Sequence, residues 1–88
     1  MRVSFSSNFK KAYKKRVRFD AEKQIKILES ISLFMNDPYN PKLRTHKLTG
    51  QLKELWSFSV EHDLRIIFYF ISENEVVLDD IGSHDEVY

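Results

Sequence analysis

The sequence predicts an α+β fold in which helices pack on one face of a mostly antiparallel sheet. Three observations lead there. Apolar residues recur at helical spacing between Phe9 and Met35; Pro38 and Pro41 close that half of the chain; and from Leu52 onward the pattern changes to the period of two expected of strands. With 88 residues, 42% of them hydrophobic and 14% aromatic, the chain suits one modest core, and residues 1–88 read as a single domain.

Arg2 to Ser6 alternates Val3 and Phe5 with polar residues and reads as a short strand. Ser6 or Ser7 can cap a following helix whose apolar side is Phe9, Ala12, Tyr13 and Val17, with Lys10, Lys11, Lys14 and Lys15 opposite. In "FDAEKQ", Asp20 is a natural N-cap for a second helix and Glu22 suits its positive first turn. The stripe expected there is Ala21, Ile25, Leu28, Ile31 or Ser32, and Met35, widened by Ile27 and Phe34. "NDPYNP" ends the helix because proline cannot continue it.

After the loop "YNPKLRTHKLTG", the stretch "QLKELWSFSVE" puts Leu52, Glu54, Trp56, Phe58 and Val60 on one face and Leu55, Ser57, Ser59 and Glu61 on the other. "HD" turns into "LRIIFYFI", an apolar run of the kind found in strands buried on both faces, interrupted by Arg65. "SENE" turns again into "VVLDDIG". The order is a strand, a two-helix hairpin and a three-strand meander, and a site can form on the sheet face the helices leave open.

Composition narrows the function classes. The chain has no cysteine, which rules out disulfides and thiolate metal sites and suits a reducing compartment. No apolar run approaches the about 18 residues of a membrane span, and "MRVSFSSNFKKAYKKR" is basic where a signal peptide would be apolar, so the expectation is a cytoplasmic protein without a membrane role. No His or acidic residues sit at a recognisable ligand spacing apart from the neighbours His62-Asp63 and His84-Asp85, so neither a metal nor a small-molecule cofactor is expected. The net charge of +1 conceals a strong division: residues 1–53 hold 13 Lys or Arg against 4 acids, and residues 54–88 hold one Arg against 9. That division suggests a polyanion partner, the alternative being that the two halves interleave in space.

Two segments, "THKLTGQLKELWSFSVEHDLRIIFYF" and "GSHDEVY", resemble toxins of the RelE/ParE superfamily, close to its YafQ-like and StbE-like branches. The corresponding motifs are His46 to Gly50, Leu55 to Val60, Arg65 to Phe68, Gly82 to His84, and the closing Tyr88. The resemblance implies a RelE-like microbial RNase fold and a type II toxin–antitoxin toxin. Its implied activity is metal-free, ribosome-dependent cleavage of A-site mRNA, with attack of a ribose 2′-OH on the adjacent phosphate. Its implied partners are a cognate antitoxin and the ribosome. That chemistry needs a base, an acid and a cation, and histidine can take either proton role near neutral pH.

On the family pattern His84 is the leading proton-transfer residue and Tyr88 the aromatic that stacks on or orients RNA, or else merely covers the core edge. Arg65 reads as a phosphate ligand or as the structural partner of Asp79 or Asp80. His46 stands at the edge of the site, and Asp63 matches an aspartate of the same turn, where Asp is also favoured on its own account. His62 has no counterpart and reads as a turn histidine. YafQ-like members carry an Asp and a His where Ser57 and Ser59 stand, which reduces the catalytic set to His46, Asp63, Arg65, His84 and Tyr88. The residues expected at ribosomal RNA are Lys10, Lys11, Lys14, Lys15, Arg16, Arg18, Lys47 and Lys53. Gly82 is expected to turn the chain back over the open face with a positive φ, bringing His84 near Arg65. Two other readings remain: a ParE-like inhibitor of DNA gyrase, against which His46 and His84 argue, and a non-catalytic relative that binds RNA or antitoxin.

Overall fold

A computed structural model describes residues 1–50 and 54–88. The elements are β1 (Arg2–Phe5), α1 (Ser7–Val17), α2 (Ala21–Asn36), a 3-10 turn (Pro41–Leu43), β2 (His46–Lys47), β3 (Trp56–Glu61), β4 (Leu64–Ser72), β5 (Glu75–Gly82) and α3 (His84–Val87). The sheet order is β1-β5-β4-β3-β2, with β1 parallel to β5 and every other pair antiparallel. Two elements go beyond the sequence expectation. Within the stretch read as a loop, His46 and Lys47 form an edge strand on β3, and the closing segment forms a short helix. Leu52, expected at the head of β3, lies outside the described residues, and β3 begins at Trp56.

Both long helices start where their caps foretell. The Ser6 hydroxyl accepts the Phe9 N–H at 3.0 Å, and the Asp20 carboxylate accepts the Lys23 N–H at 2.9 Å. Ser6 Oγ and Asn8 Nδ2 also donate to the carbonyl of Asp79, at 3.0 and 2.9 Å, which docks the start of α1 on β5. Asp79 is the extra residue of a β-bulge, since Ile67 pairs with Asp80 and Phe68 with Leu78. The bulge lets Leu78 and Ile81 both face the core while Asp80 and Gly82 face away from it.

The core gathers Phe9 from α1; Ile27, Ile31 and Phe34 from α2; Phe58 from β3; Leu64, Ile66 and Phe68 from β4; and Val76, Leu78 and Ile81 from β5. The α2 stripe is therefore rotated from the expected one. Ile25, Leu28 and Met35 are 56%, 51% and 42% exposed, whereas Ile27 and Phe34 are fully buried. Apolar residues lie on both sides of this helix, so periodicity alone could not decide which side turns inward. β4 matches its reading as a central strand, with Ile66 and Phe68 buried toward the helices and Ile67 buried on the other face.

The end of α2 nearest the β3–β4 turn is tied to it by ion pairs from Lys23 and Lys26 to Glu61, at 3.4 and 3.2 Å. The hydrogen bond from Lys26, opposed by partial burial and reinforced by Lys23, holds the Glu61 carboxyl below its ordinary value of 4.5. A lowered folded-state pKa adds stability above the ordinary value and loses it as pH falls through the lowered one. In acid titrations of unfolding, Glu61→Gln should remove a stabilisation of about 0.2–1 kcal/mol that wild type shows at neutral pH and loses below pH 4.5. Denaturant melts should also separate the two sides of α2. Ile27→Ala is expected to cost about 2–5 kcal/mol, and Ile25→Ala less than about 0.5 kcal/mol.

Candidate functional site

With Trp56, Phe58 and Val60 turned toward the helices, alternation along β3 sends Ser57 and Ser59 to the opposite face. Cross-strand register extends this over the sheet. His46, Ser57, Ile67 and Asp80 form one row, and Ser59, Arg65 and Gly82 the next. Directly paired residues of antiparallel strands share a face, so both rows lie away from α1 and α2.

α3 lies over this face against β4 and β5. A helix of four residues has no stability of its own, and its neighbours hold it. Ser83 is its N-cap in a capping box: Ser83 Oγ accepts the Glu86 N–H at 3.3 Å, and Glu86 Oε1 accepts the Ser83 N–H at 2.8 Å. Asp63 Oδ1 accepts the His84 N–H at 3.2 Å, Arg16 of α1 pairs with the Glu86 carboxylate, and the Tyr88 hydroxyl is hydrogen-bonded to Ser57 Oγ. Gly82 contributes by having no side chain, since a Cβ there would stand 3.0 Å from Val87 Cγ1 and 3.2 Å from Glu86 Cβ. This corrects the expected turn. The described glycine with positive φ is Gly50, at 74°, and Gly82 continues β5.

α3 presents the two tail residues singled out from sequence. The His84 and Tyr88 rings meet edge to face, with centroids 4.4 Å apart and planes at 84°. Tyr88, 42% exposed, also lines a cleft of about 490 Å³ with His46, Lys47, Leu48 and Thr49. His46 Nδ1 stands 2.8 Å from the carbonyl oxygen of Arg44. A carbonyl only accepts, so Nδ1 carries the hydrogen there and Nε2 of the neutral ring is left as an acceptor. Two separate parts of the chain, β2 with His46 and the C-terminal segment with His84 and Tyr88, thus meet on one face. Ser57 is fully buried and tethers Tyr88.

Arg65 meets neither Asp79 nor Asp80. Its Nη1 donates to the carbonyls of Glu61 at 2.8 Å and His62 at 2.9 Å, closing the β3–β4 turn. It lines a second cleft, of about 260 Å³, with Lys42, Arg44, Ser59 and His62, apart from the His46–Tyr88 cleft. Asp63 acts on the backbone of α3, so its first visible role is to position His84. Among the described residues, no group of three or more His, Asp and Glu is placed to hold a metal ion.

The basic residues divide by role. Arg16 leaves the expected RNA-facing set, because Glu86 engages it. Lys47 pairs with Glu54 at 3.1 Å beside the His46 cleft, and Lys53 lies outside the described residues. Lys10, Lys11, Lys14, Lys15 and Arg18 are exposed on the hairpin and form no ion pair among the described residues. Ser83 and Glu86 were missed as site residues by sequence reasoning, although their Ser-x-x-Glu spacing was a legible helix-start signal. Arg16 was expected at RNA and Ser57 was read as the loss of a catalytic group; their contacts with Glu86 and Tyr88 were not foreseen.

A sheet with one parallel edge strand, a two-helix hairpin on one face and a short helix over the other is the fold of RelE/ParE superfamily toxins. The structure resembles a metal-bound toxin from Helicobacter pylori at TM-score 0.81 and 24% identity, over 100% of this chain and 99% of that one. It resembles YafQ from E. coli strain BL21(DE3) at 0.80 and 19%, and a YoeB/ParE toxin from Agrobacterium tumefaciens at 0.78 and 18%. Coverage is 100% of this chain and 99% of the other for YafQ, and 96% and 99% for the Agrobacterium toxin. No curated protein matches the sequence. The family model described as the bacterial toxin of type II toxin–antitoxin system, YafQ, matches residues 1–88, and the chain belongs to that family.

Gly82→Ala should dislodge α3 while leaving the sheet folded, at a cost of about 1–3 kcal/mol. Hydrogen exchange checks this: the amides of residues 86–88 should lose protection and those of β4 should keep it.

Proposed function

We propose that this toxin is a ribosome-dependent, metal-independent mRNA endoribonuclease, acting in the cytoplasm to arrest translation. The observation that supports this reading is the convergence of His46, His84 and Tyr88 on the sheet face that α1 and α2 leave open. In this reading the ribose 2′-OH attacks the neighbouring phosphorus, the P–O5′ bond breaks, and a 2′,3′-cyclic phosphate and a 5′-OH result. His46 Nε2 takes the 2′-OH proton, since Nδ1 is held by the Arg44 carbonyl, and His84 protonates the leaving 5′-oxygen. Tyr88 offers its ring to a base, its hydroxyl being anchored on Ser57. Lys47 brings positive charge to the cleft. Asp63 positions α3, and the free cations of α1 meet ribosomal RNA phosphates by charge. A second reading, binding RNA without cutting it, draws on Ser57 and Ser59, whose hydroxyls replace neither a carboxylate nor an imidazole.

The partner in this reading is a cognate antitoxin, as in the E. coli DinJ–YafQ complex. Phe5, Phe9, Tyr13, Leu28 and Ile31 line an apolar groove of about 290 Å³ flanked by Lys10 and Lys14. Such a groove suits an antitoxin segment whose apolar residues alternate with acidic ones.

Purified protein should cut ribosome-bound mRNA in EDTA, and His84→Ala should slow the cut by roughly 10²–10⁴-fold. Wild-type rates in that variant would leave α3 as an edge cover, and inhibition of gyrase supercoiling without cleavage would favour the ParE-like reading. Reversing Lys10, Lys11, Lys14 and Lys15 to Glu should weaken ribosome binding and flatten its dependence on salt, by about 0.7 in log–log slope for each phosphate no longer neutralised. Unchanged affinity and slope would make the hairpin a merely solvated face.

A further inference from the structure

We infer that the cleft between the 3-10 turn and the β3–β4 turn is a phosphate subsite, which takes the RNA backbone phosphate adjacent to the one that is cut. The inference rests on the endoribonuclease reading for the identity of the polyanion. The cleft is lined by Lys42, Arg44, Ser59, Glu61, His62 and Arg65, a concentration of positive charge with one carboxylate among it. That carboxylate is already engaged, because Glu61 receives Lys23 and Lys26 from α2 on its two oxygens. Lys42 and Arg44 form no ion pair among the described residues, and both are exposed. Arg65 uses Nη1 on the two turn carbonyls, so Nη2 and Nε remain as donors in a planar fork suited to phosphate oxygens.

Size and lining point to a phosphate and not to a base. The space is about 260 Å³, no Phe, Tyr or Trp borders it, and its lining is dominated by the cations Lys42, Arg44 and Arg65, which favours a phosphate over a stacked base. Its place relative to the first cleft fits the same strand of RNA. Ser57 belongs to the row of His46 and Ser59 to the row of Arg65. Two residues along a strand separate these rows by about 6.6 Å, a distance comparable to one nucleotide step of an extended chain. Arg44 joins the two clefts. Its carbonyl holds His46 Nδ1, its side chain lines the subsite, and its backbone is held in the left-handed region at φ 51°, uncommon for a residue with a side chain.

The test uses a short single-stranded RNA with 2′-O-methyl riboses, which cannot be cleaved, and inorganic phosphate, each titrated into the labelled protein by NMR. The expected result with RNA is movement of the amides of residues 42–44 and 59–65. The variant Lys42→Gln/Arg44→Asn, chosen because Asn tolerates the left-handed conformation, should bind that RNA roughly tenfold more weakly. Its log affinity should fall with log salt less steeply, by about 0.7 for the one phosphate it no longer neutralises. Amides that stay still with RNA overturn the inference, whether or not inorganic phosphate moves them, as do unchanged affinity and slope in the variant. Cleavage is scored separately on unmodified mRNA. A wild type that binds RNA through these amides and cuts nothing removes the endoribonuclease reading and leaves the subsite standing.

Discussion

The Phe34 ring lies against Phe58 at 4.3 Å, nearly parallel, and meets the edge of Phe68 at 4.7 Å, with all three fully buried. The rest of the molecule depends on this packing, because it fixes which face of β3 and β4 turns toward α2. Aromatic pairs of this geometry add about 0.5–1.5 kcal/mol beyond the area they bury. Side chains alternate along a strand, so turning Phe58 and Phe68 inward turns Ser57, Ser59, Arg65 and Ile67 outward. The candidate site is the reverse side of this aromatic packing. A slip of one residue in β3 would turn Ser57 and Ser59 toward α2 and send Trp56 and Phe58 to the opposite face.

The Glu61–Leu64 turn carries the second dependence. Glu61 anchors α2 through two lysines, Arg65 returns to the carbonyls of Glu61 and His62, and Asp63 holds the first amide of α3. One turn thereby ties a helix of the core face to the helix of the site face, with Arg16 and Glu86 as a second tie across the same edge. These pairs also account for part of the charge division. Arg2 with Glu75, Arg16 with Glu86, and Lys23 and Lys26 with Glu61 each join a cation of the basic half to an acid of the other. Among the described residues, the cations that remain unmatched gather in two places, the outer side of α1 and the cleft at Lys42, Arg44 and Arg65, the two surfaces proposed to meet RNA.

α3 is built for placement more than for strength. A capping box, one ion pair, one carboxylate on its first amide and one hydroxyl pair at its end hold four residues. Each of these interactions is modest, and together they set the His84 and Tyr88 rings at right angles over the sheet. Serine at position 57 is consistent with this arrangement, since its hydroxyl occupies a fully buried position that a larger side chain would have to share with Tyr88.

The amino-acid sequence by itself determined the order of the first strand, the two long helices and the three-strand meander, the caps at Ser6 and Asp20, the apolar face of β3 and the double burial of β4. Each of these is a local signal, written within a few residues by a side-chain oxygen or an alternating pattern. Three residues of the candidate site, His46, His84 and Tyr88, were legible through the resemblance to RelE/ParE motifs and not through any local signal. The tertiary structure decided the rest. It chose Ile27 and Phe34 over Ile25 and Met35, since both sides of α2 are apolar and only the sheet selects between them. It sent Arg65 to two carbonyls instead of an aspartate, and turned Arg16 from a free cation into a strut. It kept Gly82 in the strand and coiled the residues after it, because Ser57, Asp63 and Arg16 lie 31, 21 and some 70 positions away from the groups they hold, and no local pattern records an interaction across such separations.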